Sequence, residues 1–184
     1  MTNTETCMRE MRYITALFFK SSEFDEQWVL FKAYLNTVHS LSDNDPKAKT
    51  NFINNEIMDF ALVLRNVIHH HPAKWNFGKH DVYPTGMTVN LSNETGAKFT
   101  GKLSLVIQKN TLENTELQEK LGKESKKQLA VLKNALEKIQ GHVLIVAHVI
   151  QQIQAYVEQY CRDNNLYTEA YDKEPSGYKL IKTV

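Results

Sequence analysis

"LAVLKNALEKIQGHVLIVAHVIQQIQAYVEQY", Leu129 to Tyr160, carries the strongest pattern in this chain. Leu129, Leu132, Leu136, Ile139, Val143, Val146, Ile150, Ile153, Val157 and Tyr160 recur at alternating spacings of three and four. An apolar position every 3.5 residues on average marks a helix that lays one face against a partner. Gly141 falls inside the run. A glycine within a helix costs only about 1 kcal/mol relative to alanine, so the spacing predicts one long C-terminal helix. His142 and His148 lie inside it and are expected as satisfied structural or interface side chains.

The same periodicity appears upstream. In "FDEQWVLFKAYLNTVHSL" (Phe24–Leu41), Trp28, Leu30, Phe31, Tyr34, Leu35, Val38 and Leu41 predict an amphipathic helix. "SDNDP" then interrupts, because the residue before Pro46 is steered away from helix while Pro46 itself suits a first turn. From Lys47 to about His71, Ile53, Ile57, Phe60, Ala61, Leu64 and Ile68 form a second stripe that stops at Pro72. "VYPTGMTVNLSNETGAKFTGKLSLVIQK" (Val82–Lys109) differs: it alternates at Met87–Val89–Leu91 and Leu103–Leu105–Ile107, with "SNETGA" as a turn. That pattern predicts a β-hairpin. "NTELQEKLGKESKK" reads as an earlier helix or the start of the long one, with Lys120, Lys123, Lys126 and Lys127 on a solvated face.

The expected fold class is therefore mainly α: a helical bundle of four to five helices in a single domain spanning 1–184. A β-rich insertion at 82–109 sits between the second stripe and the long C-terminal helix, and 167–184 forms a tail. The long seam is satisfied either within one chain or by a second copy.

Composition narrows the classes of function. The chain has 184 residues, 42% hydrophobic and 23% charged, with a net charge of +1. That excludes a strongly basic nucleic-acid coat and gives no pull towards an anionic membrane, so any affinity for RNA must come from local charge. Cys7 and Cys161 lie far apart outside any CxxC pattern and read as free thiols, with one disulfide as the alternative. The apolar run Tyr13–Phe19 is too short for a signal-peptide core or a membrane span. The reading is a soluble cytoplasmic protein.

One helix end asks for a functional explanation. "FALVLRNVIHHHPAKW" (Phe60–Trp75) finishes in an arginine, an asparagine and three histidines. At about 100° per residue, Arg65 and His69 flank the apolar stripe on one side, Asn66 and His70 on the other, and His71 lies nearly on it. Such an end is solvated or lines a cleft.

Arg65, Asn66 and His70, at the close of a helix and just before Pro72, resemble the RxxxxH motif of HEPN domains (higher eukaryotes and prokaryotes nucleotide-binding). His71 satisfies a spacing one longer. The resemblance covers the helical layout from about Phe24 to Asp163, and its sequence-specific part is Arg65 to Pro72. It implies an all-α bundle that cleaves RNA without metal or other cofactor, as a homodimer. The chemistry suits the residue types. Histidine takes a proton from the 2′-hydroxyl or gives one to the leaving 5′-oxygen, and arginine makes forked hydrogen bonds to phosphate. Asn66, one turn before His70, is placed to fix the imidazole ring. One imidazole cannot easily serve as acid and base in a single step, and Arg65 and His70 project roughly 140° apart. Both points favour two chains sharing a site, with Asp59 as a possible partner for Arg65 of the other chain.

Lys74, Trp75, Lys79 and His80 form a basic stretch with one aromatic, suited to holding a phosphate and stacking a base. His69, His70, His71, His80 and Asp81 also offer metal ligands. Successive histidines on a helix diverge and no cysteine accompanies them, so no metal is assigned. The resulting expectation is an endoribonuclease acting on tRNA or other RNA as a toxin or anti-phage effector, with a possible antitoxin or nucleotidyltransferase partner. The competing expectation is a non-catalytic dimerisation or interaction module, or the substrate-holding or regulatory partner of a nucleotidyltransferase.

Overall fold

The computed structural model describes residues 3–44, 52, 55–70, 81–92 and 96–164, with the backbone course alone at residues 3, 70, 81–92 and 96–102. α1 (Asn3–Lys20) and α2 (Phe24–Asn44) form an antiparallel pair; α3 (Glu56–His70) packs on α2. β1 (Asp81–Ser92) and β2 (Gly96–Gln108) follow as an antiparallel hairpin. Three helices then run α4 (Lys109–Leu112), α5 (Thr115–Glu124) and α6 (Lys126–Lys138). β3 (Val143–Ile145) and α7 (Val146–Asp163) complete the order. The architecture is a mainly helical bundle with a small antiparallel sheet in the order β1-β2-β3. Among the described residues, no helix is long and apolar enough to cross a membrane.

α1 was not foreseen. Its buried side is drawn from Thr4, Cys7, Met8, Met11, Thr15 and Phe18. The spacing is helical, but two of the six positions are threonines, so a search for apolar residues alone loses the stripe. Ser21 ends this helix by donating its N–H to the Leu17 carbonyl, and Gln27 Nε2 donates to the Ser21 carbonyl at 2.9 Å, fixing the turn into α2. Cys7 and Cys161 are both buried free thiols, and Cys161 packs on Met8.

α2 buries Trp28, Phe31, Tyr34, Leu35, Val38 and Leu41, following the expected stripe. Tyr34 ties it to α7: its hydroxyl donates to Gln154 Oε1 at 3.2 Å, with the Ile150 carbonyl at 3.4 Å. In α3, Asn55 Oδ1 accepts from the Met58 N–H at 3.2 Å and caps the helix.

The expected unbroken C-terminal helix is corrected. α6 stops at Lys138, and Gly141 adopts φ +83°, a left-handed conformation from which a helix does not continue. Val143–Ile145 then pair with Gln108–Val106 as the third strand before α7 begins. The seam residues still turn inward: Leu132, Leu136, Val146, Ile150, Ile153, Val157 and Tyr160 are buried. The sequence at the break explains the change. Gln140–Gly141–His142 has little to bury, and Val143–Leu144–Ile145 is rich in β-branched residues. His142 and His148 are both exposed, not core side chains. Ser125 separates α5 from α6, accepting the Gln128 N–H on its hydroxyl at 3.3 Å while its own N–H donates to the Leu121 carbonyl.

Gly141→Ala should lower stability by about 1–3 kcal/mol, because alanine must hold the left-handed conformation. Thermal unfolding should show a fall of roughly 2–4 °C for each kcal/mol lost. Burial, with Glu10 nearby, pushes the Cys7 thiol above its usual 9.0, and burial pushes Tyr156 above 10.0. The unfolded chain therefore ionises these groups first, so stability should be intact below pH 9 and fall as pH rises further. Urea midpoints at pH 7, 9 and 10.5 test this, and Cys7→Ala should reduce the drop.

Candidate active site

α3 is buried through Met58, Phe60, Ala61, Val63, Leu64, Val67 and Ile68, more than one side of a helix. Its polar residues are confined to narrow strips and to its ends. Arg65 emerges half-buried towards α2. Its Nε donates to Asn36 Oδ1 at 3.2 Å, and its Nη1 donates to Asn66 Oδ1 at 3.1 Å. Two asparagine oxygens thus hold the guanidinium, one from α2 and one from the next residue of α3 itself. Two of its five N–H donors are used by these bonds.

The guanidinium borders a groove of about 320 Å³ between α2 and α3. Lys32, Asn36, Arg65 and His69 supply its polar lining, and Ile68 and Leu35 contribute apolar surface. No carboxylate is among the described lining residues. Two cations and an imidazole facing one small groove favour an anion such as phosphate, with Arg65 capable of a forked contact.

The expected site residues are placed as follows. Arg65 and Asn66 come together, with Asn66 Oδ1 accepting from Arg65 Nη1; the expected contact of Asn66 with the His70 ring lies outside the described residues. At one residue's remove, its oxygen lies within reach of the guanidinium. His70 closes α3, and its side chain lies outside the described residues, as do His71, Lys74, Trp75, Lys79 and His80. Among the described residues, His69 is the histidine that lines the groove. Its i, i+4 relation to Arg65 was visible in the sequence, although the motif directed attention to the next two positions.

Asp59 points elsewhere. Its Oδ1 lies 3.8 Å from Lys127 Nζ of the same chain, so the expected pairing with another chain's Arg65 is not needed to satisfy it. It borders a larger cavity, about 690 Å³, between the start of α3, α6, β3 and the start of α7. The Glu56–Lys138 ion pair stands at that rim. No three His, Cys, Asp or Glu side chains converge as a metal site among the described residues.

Comparison of the chain with protein-family models, with curated proteins and with solved structures finds no match. The groove must therefore be read from its own chemistry.

Arg65→Ala should cost no more than about 1 kcal/mol of stability, because both its hydrogen bonds sit in exposed or half-buried positions. A urea-denaturation midpoint measures this. A loss of several kcal/mol would instead identify Arg65 as a packing residue.

Proposed function

We propose that this chain is a metal-independent endoribonuclease of the HEPN type that works as a homodimer, most simply as a toxin or anti-phage effector. The observation that carries the reading is the Arg65 guanidinium, held by Asn36 and Asn66 beside a groove that also takes Lys32 and His69. A cation fixed in this way is suited to a non-bridging phosphate oxygen, where charge builds as the pentacovalent phosphorane forms.

In the proposed reaction the 2′-oxygen of one nucleotide attacks the adjacent phosphorus. The new O–P bond forms as the bond to the 5′-oxygen breaks. One imidazole accepts the 2′-proton and a second protonates the departing 5′-oxygen, so the products are a 2′,3′-cyclic phosphate and a 5′-hydroxyl. His70 is assigned the proton transfers by its place in the motif, and two copies supply the two imidazoles. His71 is the alternative bearer of this role. His69 and Lys32 hold neighbouring phosphates. Lys74, Trp75, Lys79 and His80 extend the RNA contact beyond the end of α3. An antitoxin or a nucleotidyltransferase is the kind of protein partner this reading anticipates.

Purified protein incubated with total RNA in EDTA should cut it, leaving cyclic-phosphate ends. Arg65→Ala should slow cleavage by about 100-fold or more, and His70→Ala by a similar factor. A loss in His71→Ala with normal rates in His70→Ala would reassign the histidine. RNA left intact by the wild type in EDTA, with equal growth of bacteria expressing wild type and His70→Ala, would leave the interaction-module reading in its place.

A further inference from the structure

A second cavity, about 690 Å³, lies at the start of α3 and takes no part in the proposed reaction. α6 ends at Lys138 and β3 intervenes before α7, so both halves of the C-terminal seam wall this space together with α3. Phe60 and Val149 are buried against it, whereas Ile57, Val131, Ala135, Ile139 and Leu144 are only partly covered. Apolar side chains from four elements thus converge without the close contact of a packed interior. A space of this size, with aliphatic walls and a few polar groups, is the usual form of a small-molecule site.

The polar groups decide which molecule fits. Asn134, Gln140, His148 and Gln152 stand exposed around the cavity. Glu56 and Lys138 pair with each other at its mouth, both more than half exposed. Asp59 differs: its side chain is only 15% exposed. Lys127 balances its charge from 3.8 Å, but that is beyond hydrogen-bond length, and the lysine is itself 60% exposed. Asn55 caps α3 by taking the Met58 N–H, so Asp59 is not occupied in that role. Among the described residues no donor reaches the Asp59 carboxylate. A carboxylate largely withdrawn from water and without a donor favours a ligand that brings one.

We propose that this cavity binds a small organic cation, a primary or secondary amine carried on an apolar body. The ammonium donates to the Asp59 carboxylate, and the body covers the partly buried side chains of Ile57, Val131, Ile139 and Leu144. A neutral molecule of the same shape would dry the carboxylate and leave it without a donor. An anion would meet Asp59 and Glu56 against Lys138 alone among the described lining residues. A peptide strand added to β3 is the competing occupant, and the edge is too short for it. The Lys109 N–H donating to the His142 carbonyl sets the phase of the ladder, which turns the backbone groups of Val143 and Ile145 away from β2. Ile145 already serves as the N-cap of α7, so the edge offers little beyond the two groups of Val143 and one N–H. The proposal stands on Asp59 and the cavity and does not need the nuclease reading.

Amide chemical-shift titration of the full chain with tryptamine, tryptophol and indoleacetate tests it, because the three probes share an indole body and differ in their head group. Tryptamine should saturate the amides at the start of α3, the end of α6 and β3, with a dissociation constant of about 2 mM or tighter. It should bind at least about tenfold more tightly than tryptophol, and indoleacetate should bind most weakly. Asp59→Asn should bring tryptamine to within about threefold of tryptophol and leave the tryptophol affinity unchanged, a result that mere loss of packing would not give. Ala135→Phe, which occupies the cavity, should weaken both by at least about tenfold; if that variant does not fold, the head-group comparison in Asp59→Asn decides. Equal affinities for the three probes, a preference for tryptamine that survives in Asp59→Asn, or no saturation by about 10 mM would overturn the proposal. So would shifts confined to the β3 amides, which would point to a strand-docking edge. Arg65→Ala should bind tryptamine as the wild type does, so failure of the nuclease reading is distinguishable from failure of this one.

Discussion

The fold is organised by the burial of α3, which α2, α6 and α7 surround. With Met58, Leu64, Val63 and Val67 all inside, a charged residue on this helix has few places to go. Its polar groups are pushed to the two ends, and each end meets a different neighbour. At the start, Glu56 and Asp59 face Lys138 and Lys127 of α6. At the finish, Arg65 and His69 face Lys32 and Asn36 of α2. Close packing in the middle thus fixes where the chemistry can sit. Loosening it, by shortening Leu64 for example, would displace the Arg65 backbone together with the core.

Gly141 has a comparable effect on the second half of the chain. A continuous helix from Lys126 to Asp163 would be about 57 Å long at 1.5 Å per residue, much longer than α1, α2 or α3 beside it. It would leave half its apolar seam without a neighbour. Breaking it at Gly141 folds the two halves onto one body, and the three residues of β3 give the edge of β2 a partner. The Lys109 N–H, donating to the His142 carbonyl at 2.9 Å, closes the bend against the end of the hairpin.

Where period and boundary signals agreed, the sequence was a good guide. α2 buries the stripe its spacing announced, and the paired strands occupy 81–92 and 96–108 where a hairpin over 82–109 was expected. Where they disagreed, period misled. The three-four repeat from Leu129 to Tyr160 persists because both halves face the core, yet a repeat of burial does not require one continuous helix. α1 failed for the opposite reason: Thr4 and Thr15 are buried at stripe positions, and their hydroxyls disguised the pattern. Within the site, Arg65 and Asn66 were legible as a polar helix end, but their bond to each other and the part played by Asn36 were not. Asn36 is 29 residues from Arg65, and only packing of α2 on α3 brings them together.

The location of the groove sets an electrostatic condition on anything it binds. Anion sites are commonly found at helix N-termini, where the dipole and free N–H groups help. This groove lies near the C-terminal end of α3, where the dipole is equivalent to about half a negative charge. A phosphate there is repelled by the helix itself. Arg65 and Lys32 bring two full positive charges against that half, without a carboxylate among the described lining residues to offset them. The same dipole helps to hold the arginine in place, so the unfavourable end of the helix for an anion is the favourable end for the cation that would bind it. Binding should therefore depend on these two side chains far more than on the backbone. Because the chain as a whole carries only +1, no long-range field compensates if they are removed.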